Sequence, residues 1–134
     1  MNQLHLVTNE WTINGTYTGE VRRIGRTKDF ELEGKGTLTL HSKTKKTMTV
    51  YTGSFKDDKK CGYGKQVTHS ENDVNDVIEI IEGFWKENQL TGNCFVWRQD
   101  GSRFHGIYYK GKRDGNGTEK LPDGRLIEGT WKNG

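Results

Sequence analysis

The residues of this sequence that could carry out chemistry are four histidines, two cysteines and a group of basic residues in polar segments. The histidines are scattered, and none has a partner at the spacing of a metal-binding motif such as HExxH. Cys61 and Cys94 form no CxxC pair, and neither has a neighbouring histidine that would activate its thiol. The sequence therefore predicts no catalytic residue, no metal ligand and no cofactor, and it indicates a protein that is not an enzyme.

The basic residues concentrate in polar segments that are typical of turns. Lys59 and Lys60 lie in one such segment, and Lys112 and Arg113 lie in another. If these turns line up along one edge, they form a cationic ridge that could bind anionic phospholipid, with about 1 kcal/mol from each basic residue. Acidic neighbours such as Asp57 interrupt the ridge, which favours a solvated edge that blocks strand pairing over a lipid-binding surface. The net charge of +3 argues against nucleic-acid binding.

The basic turn segments belong to a sequence motif that repeats along the chain. The segment IEGFWK at 81–86 recurs as FHGIYY at 104–109 and as IEGTWK at 127–132, with starts 23 residues apart both times. Similar openings occur at 51–56 and 17–22. Each complete unit continues with a charged turn and then a second glycine-containing pair. The first two units are longer, and we expect their extra residues to form loops at the hairpin ends, where insertions are tolerated.

Within a unit, apolar and polar residues alternate as they do in a half-buried strand. Tyr51, Gly53 and Phe55 share one face of the predicted strand. Glycine inside a strand is unfavourable unless another group passes close above it, and we expect an aromatic side chain from the adjacent strand to do so. Only 30% of the residues are hydrophobic, while 18 are glycine and one is proline. This composition favours a thin core, as in a solenoid whose units pack only on their neighbours.

The segments YTGSFKDDKKCGYG, IEGFWKENQLTGNC and FHGIYYKGKRDGNG, the last followed by LPDG, resemble the MORN repeat (membrane occupation and recognition nexus). The resemblance covers residues 17–134. It implies an all-β fold: an elongated, curved and twisted single-layer antiparallel sheet of stacked β-hairpin repeats. The predicted divisions are an N-terminal strand or cap at 1–16, units at 17–50, 51–80, 81–103 and 104–126, and a half unit at 127–134.

The resemblance implies a non-catalytic protein–protein interaction or scaffold module, since MORN proteins include cytoskeletal, ciliary and membrane-junction scaffolds. Solenoids bind partners through an extended open surface, and exposed aromatic side chains would anchor a partner there. Two alternatives stay open: a peripheral phospholipid-binding module that uses the turn lysines and arginines, and a regulatory segment of a larger enzyme. The aromatic residues predicted to bind a partner are Tyr51, Phe55, Trp85, Trp97, Tyr108 and Trp131.

The sequence also gives expectations about location and assembly. It shows no secretory signal pattern and no apolar run long enough to span a bilayer, so a cytoplasmic location is expected, with cytoskeletal, ciliary or membrane-peripheral settings all compatible. Residues 127–134 form half a unit, whose strand would be an open edge. Such an edge is expected to pair with a second copy, with a larger assembly or with sequence beyond this chain.

Overall fold

The computed structural model describes residues 4–12, 15–24 and 30–134. They form one open antiparallel sheet in which each strand pairs with its neighbours in sequence. This confirms the predicted all-β fold of consecutive hairpins. The strands are β1 (Leu4–Thr12), β2 (Gly15–Arg23), β3 (Phe30–Ser42), β4 (Thr47–Lys56), β5 (Lys59–Ser70), β6 (Asp73–Lys86), β7 (Gln89–Arg98), β8 (Arg103–Tyr109), β9 (Lys112–Lys120) and β10 (Leu126–Trp131).

The turns that follow the repeated openings have a common backbone conformation. Both central residues have positive φ, with 50° and 67° at Asp57 and Asp58 and 49° and 69° at Glu87 and Asn88. This is the geometry of type I′ turns, whose twist matches that of the flanking strands. Asp and Asn tolerate positive φ better than most residues, which explains these residues at the second turn position.

Each of these turns also folds over the preceding unit. The Asn88 N–H donates to the carbonyl of Lys60 at 3.2 Å, and the Asn88 side-chain oxygen accepts a bond from the Lys60 N–H at 2.9 Å. The turns after β4, β6 and β8, and the segment after β10, are thereby attached to the returning strand of the unit before. The equivalent backbone bonds join Asp58 to Leu32 (3.1 Å), Gly111 to Leu90 (3.0 Å) and Gly134 to Arg113 (2.8 Å).

The two glycines of the Gly62-Tyr63-Gly64 pair have different roles. Gly62 has a φ of 66° and lies in a β-bulge, where the register between β4 and β5 shifts. A bulge bends the strand, which directs the turn towards one face of the sheet. Gly64 lies under the ring of Tyr51, as does Gly53, where a Cβ atom would lie 2.6 Å from the Tyr51 hydroxyl oxygen. The predicted packing of glycine against aromatic rings is confirmed, with each ring covering a glycine of its own strand as well as one of the next.

One face of the sheet forms the core, here called the buried face. It carries the first and fifth residue of each unit, such as Tyr51 and Phe55, which are 1% and 2% exposed. The Tyr51 ring meets Phe55 and Trp85 edge-to-face, with ring centroids 5.1 and 5.4 Å apart. The Tyr51 hydroxyl donates to the Ser54 carbonyl at 3.0 Å, so the polar end of this buried ring has a partner. A single sheet thus builds a core from side chains, with its turns folded over them.

At the hairpin ends near 41–47 and 70–76, the extra residues of the first two units lengthen the strands, so the prediction of longer loops was wrong at these two places. β3 and β4 stay paired out to Ser42 and Thr47, which leaves a turn at 43–46, and β5 and β6 stay paired out to Ser70 and Asp73. Threonines support this extension, with the hydroxyls of Thr49 and Thr68 3.2 Å apart across β4 and β5. Of the predicted N-terminal segment, 4–12 form β1, while 1–3, 13 and 14 lie outside the described residues, as does 25–29 of the lengthened first turn.

Candidate functional site

The structure separates the four predicted lipid-binding residues into two pairs. Lys59 and Lys112 are exposed beside their turns. Lys60 instead points into the buried face, where its Nζ atom lies 5.1 Å from the Tyr51 ring centroid and 4.8 Å from that of Trp85. Its ammonium group donates to Gln66 Oε1 at 2.7 Å, and burial lowers its pKa. Lys60 is therefore held against the rings of the buried face.

Arg113 occupies the equivalent place in the fourth unit. Its guanidinium carbon lies 4.2 Å from the Phe104 ring centroid and 5.9 Å from that of Trp131. Two of its nitrogens bond to the Glu119 carboxylate, at 3.2 and 3.3 Å. The charge of Arg113 is thereby neutralised within the fold. Of the predicted lipid-binding set, only Lys59 and Lys112 present their charge to solvent.

The predicted aromatic residues also divide between the two faces. Tyr51, Phe55 and Trp85 are 1%, 2% and 6% exposed, so the expectation that they lie open to a partner fails. Their rings are needed to cover the strand glycines and one another, which places them in the core. Tyr108 and Trp131 are half-buried on the same face, in contact with Phe104. Trp97 lies on the opposite face.

That opposite face, here called the open face, carries a second set of large apolar side chains. Tyr63, Phe84, Phe95 and Ile107 are 54%, 49%, 58% and 37% exposed. Tyr63 and Phe84 meet edge-to-face at 5.6 Å, and Phe95 stacks on His105 with centroids 3.9 Å apart and planes 6° from parallel. Cross-strand neighbours thus organise the exposed rings into pairs. These ring pairs leave large apolar surfaces in contact with water.

A trough runs across the open face between strands β6 and β10. One part is a cavity of about 590 Å³ lined by Ile80, Phe95, Trp97 and Arg103 among others. A second part of about 590 Å³ shares His105 and Thr118 with the first. Its polar lining consists of amide, hydroxyl, imidazole and carboxylate side chains. They are Asn93, His105, Asn116, Thr118, Glu128 and Thr130.

The sequence contains the signal for the open face. Phe84 and Trp85 are adjacent in β6, so period-2 alternation places them on opposite faces. Since Trp85 shares the face of the core residue Ile81, Phe84 must face outwards. Phe95 is likewise adjacent to the buried Cys94. Tyr63 lies in the bulge beside Gly62, where alternation fails, and its exposure could not be read from the pattern.

The described residues contain no cluster of three or more His, Cys, Asp or Glu side chains that could hold a metal ion. Cys61 and Cys94 are both free thiols, and burial raises the pKa of Cys94 to about 12. Such a thiol stays protonated and is a poor nucleophile. Nor does the described part of the chain contain a helix long and apolar enough to cross a membrane.

A sheet of hairpin units with glycine–aromatic packing and turns docked on the preceding unit defines a β-hairpin repeat protein. The MORN-repeat family model matches residues 51–69, 82–103 and 104–124. The chain therefore contains MORN repeats. MORN repeats are in general non-catalytic modules that interact with proteins or membranes. A comparison with curated protein sequences gave no significant match.

Proposed function

We propose that this protein is a non-catalytic scaffold module that binds another protein through the open face. The observation that carries the proposal is the exposure of Tyr63, Phe84, Phe95 and Ile107 on a sheet whose other face carries the buried core. Contiguous exposed apolar surface on a soluble domain commonly marks an interaction site. Aromatic anchors in such a surface contribute much of the binding energy of protein complexes.

The arrangement of the open face also favours a protein partner. Its exposed rings lie on successive strands, spaced by about 4.8 Å per strand, so an elongated partner could contact several units at once. The trough combines an apolar part with a part lined by amides and hydroxyls. Such a mixture suits a polypeptide, which carries both apolar side chains and main-chain hydrogen-bonding groups. We extend the proposal to a role within a larger cytoskeletal or ciliary assembly.

The test is affinity capture from a cell lysate with the immobilised full chain, at low and at high salt. Three baits are compared: wild type, the double variant Phe84→Asp with Phe95→Asp, and Val74→Asp. Val74 is 67% exposed and lies outside the trough, so it controls for adding a charge at an exposed apolar site. We expect the wild-type and Val74→Asp baits to retain bound proteins at high salt. The amount of these proteins recovered on the double variant should be about tenfold lower. Equal recovery on all three baits contradicts the proposal.

Peripheral binding to anionic phospholipid is the second candidate, because Lys56, Lys59, Lys110 and Lys112 are all exposed beside the turns. Vesicle flotation distinguishes the two functions. Lipid binding predicts flotation with phosphatidylserine vesicles but not with phosphatidylcholine vesicles, and its loss at high salt or in Lys59→Gln with Lys112→Gln. Binding through apolar anchors predicts no flotation and little sensitivity to salt.

A further inference from the structure

Two like charges face each other on the open face. Arg103 on β8 and Lys120 on β9 are directly paired in register, and both side chains are exposed. Like charges opposite each other across an antiparallel pair are destabilising. Neither residue makes an ion pair with any of the described residues. An anionic group placed between them would remove this repulsion.

Three other arginines of the second half of the chain form ion pairs, unlike Arg103. Arg98, Arg113 and Arg125 each pair with a carboxylate, at 3.2, 3.2 and 2.7 Å. The Arg103 guanidinium carbon instead lies 5.6 Å from the ring centroid of Trp97. Its only hydrogen bond to a described residue is a long one of 3.4 Å to the carbonyl of Gly101. Stacking on the indole holds the guanidinium in place while leaving its donors available for an acceptor from outside.

The two cations adjoin the apolar part of the trough. Arg103 and Lys120 both line the cavity of about 590 Å³, together with Ile80, Phe95 and Trp97. A bound group would meet cationic donors on one side and apolar side chains on the other. A carboxylate is the best match for the donors, because guanidinium groups bind carboxylates through two parallel hydrogen bonds.

We infer that this part of the trough recognises an acidic residue next to a large apolar side chain in an extended segment of a partner protein. The inference rests on the proposed protein-binding function and names the chemistry of the partner. The carboxylate would lie between Arg103 and Lys120, and the apolar side chain would lie against Phe95 and Trp97. The neighbouring part of the trough offers amides, such as those of Asn93 and Asn116, to the main chain of the segment.

The surrounding charges favour one carboxylate over a densely anionic surface. Glu82 lines the same cavity as Arg103 and Lys120, and Glu128 lines the adjoining part of the trough. These carboxylates would repel the many negative charges of a phospholipid bilayer. They leave room for a single acidic side chain that lies between the two cations.

The experiment is selection from a displayed library of random twelve-residue peptides against the full-length protein. The baits are wild type, the charge-reversed variant Arg103→Glu with Lys120→Glu, and Phe95→Asp. We expect wild type to enrich peptides with Asp or Glu beside Leu, Trp or Phe. The charge-reversed bait should bind those peptides at least tenfold more weakly, and it should enrich Lys or Arg beside the same apolar residues. Circular dichroism and thermal unfolding establish that each bait is folded, and the single variant Lys120→Gln should weaken binding by a smaller factor.

The other outcomes overturn the inference in distinguishable ways. If the wild-type peptides bind the charge-reversed bait equally well but fail on Phe95→Asp, the acidic specificity is wrong while protein binding through the open face stands. If no bait enriches any peptide, and Phe84→Asp with Phe95→Asp changes nothing in affinity capture, both proposals fail. If phosphatidylserine vesicles bind through Arg103 and Lys120 while peptides do not, the site is one for lipid headgroups and the inference is overturned.

Discussion

The second and third repeat units have the same backbone plan but fill their cores differently. At the ninth residue after each unit start the second unit has Lys60 and the third has the buried Leu90, and six residues later they have Gln66 and Val96. In the second unit the pair is a cation and an amide that hydrogen-bond to each other, at 2.7 Å. In the third unit the pair is hydrocarbon.

The two remaining units follow the same rule. The fourth unit has the ion pair of Arg113 and Glu119 at these positions, and the first has two buried leucines, Leu32 and Leu38. Polar and apolar versions therefore occur in alternate units. The repeat leaves a space on the buried face that two side chains fill. These two side chains are either both polar, and bonded to each other, or both apolar. A desolvated cation is accepted because it has both a hydrogen-bonding partner and flanking rings.

The units also differ in how they cover their glycines. Tyr51 opens the second unit, and its ring lies over Gly53 and Gly64. Ile81 opens the third and is too short to do the same, and there Cys94 replaces the second glycine with its own side chain packed against Gly83. The third unit has isoleucine in place of the ring, which removes volume, and cysteine in place of the second glycine, which adds volume. Together the two changes conserve the packed volume. The two units are thus alternative solutions to one packing problem.

The largest effect should come from removing the ring of the second unit. Tyr51→Ala would uncover two glycines and break edge-to-face contacts with Phe55 and Trp85, so it should lower the free energy of unfolding by about 4 kcal/mol. Phe95→Ala on the open face, where the ring is 58% exposed, should cost less than about 1 kcal/mol. Urea unfolding monitored by circular dichroism measures both. Similar losses for the two variants would mean that the faces are not energetically distinct.

The second-largest effect should come from alkaline pH, which should destabilise the two units that open with a tyrosine. Burial raises the pKa of Tyr17 and Tyr51 to about 12, above the ordinary value of 10.0. A raised pKa in the folded state means that their contribution is complete below pH 10 and is lost as the pH rises towards 12. The loss should be on the order of 2–3 kcal/mol for each tyrosine.

Unfolding measurements between pH 9 and pH 12 test this, with Tyr51→Phe as the matched variant. Tyr51→Phe should cost about 1 kcal/mol near neutral pH through loss of the hydrogen bond to Ser54. Above pH 10, the free energy of unfolding of Tyr51→Phe should then fall less steeply than that of wild type. Parallel curves for the two proteins would show that Tyr51 ionises normally in the folded state.

Exchanging glycine and cysteine between the second and third units should lower the free energy of unfolding less than removing the ring of Tyr51 does. Gly64→Cys places a side chain where the Tyr51 ring already lies, and overpacking of this kind should cost about 2–3 kcal/mol. Cys94→Gly leaves a void above Gly83, because Ile81 does not reach it, and should cost about 1–2 kcal/mol. Thermal unfolding under reducing conditions compares them. A neutral Gly64→Cys would show that the units are interchangeable at this position.

The smallest effect should come from converting the second unit to the chemistry of the third. Lys60→Leu with Gln66→Val replaces a desolvated cation by hydrocarbon, and we expect a change within about 1 kcal/mol of wild type, in the stabilising direction. Burial lowers the pKa of Lys60, so wild type should gain stability as the pH rises towards the ordinary lysine value, and the variant should lack this gain. Unfolding at pH 7 and pH 9.5 checks both points. A loss above 2 kcal/mol would mean that the cation is needed for the fold.

Much of the fold could be predicted from the sequence because the spacing of glycine and aromatic residues repeats. The alternation of Tyr51, Gly53 and Phe55 identified the strands and the face that packs. The attachment of each turn to the unit before it was not predicted, because it depends on contacts between units. The positive φ at Asp57 and Asp58 and the bulge at Gly62 were not predicted, because they depend on turn geometry and strand register rather than on the alternation of residue types. The strands that extend to Ser42 and Ser70 were missed since polar threonine-rich ladders resemble loops in composition.

The candidate site was less predictable for a related reason. Aromatic residues serve two purposes here, and residue type alone does not separate the core rings, such as Trp85, from the exposed ones, such as Phe95. The alternation of side chains along the strand separates core rings from exposed rings in β6 and β7, but this alternation fails at the bulge that carries Tyr63. Likewise Lys59 and Lys60 are adjacent and chemically identical, yet only Lys60 reaches between two rings.

The bonds from each turn to the preceding returning strand have a consequence for synthesis. Because Asn88 closes over Lys60 and Gly111 closes over Leu90, a unit is complete only when the turn of the next unit has been made. All pairings join neighbours in sequence, so no step waits for a distant segment. Folding on the ribosome can therefore proceed from the N-terminus in single-unit steps, one unit behind the emerging chain.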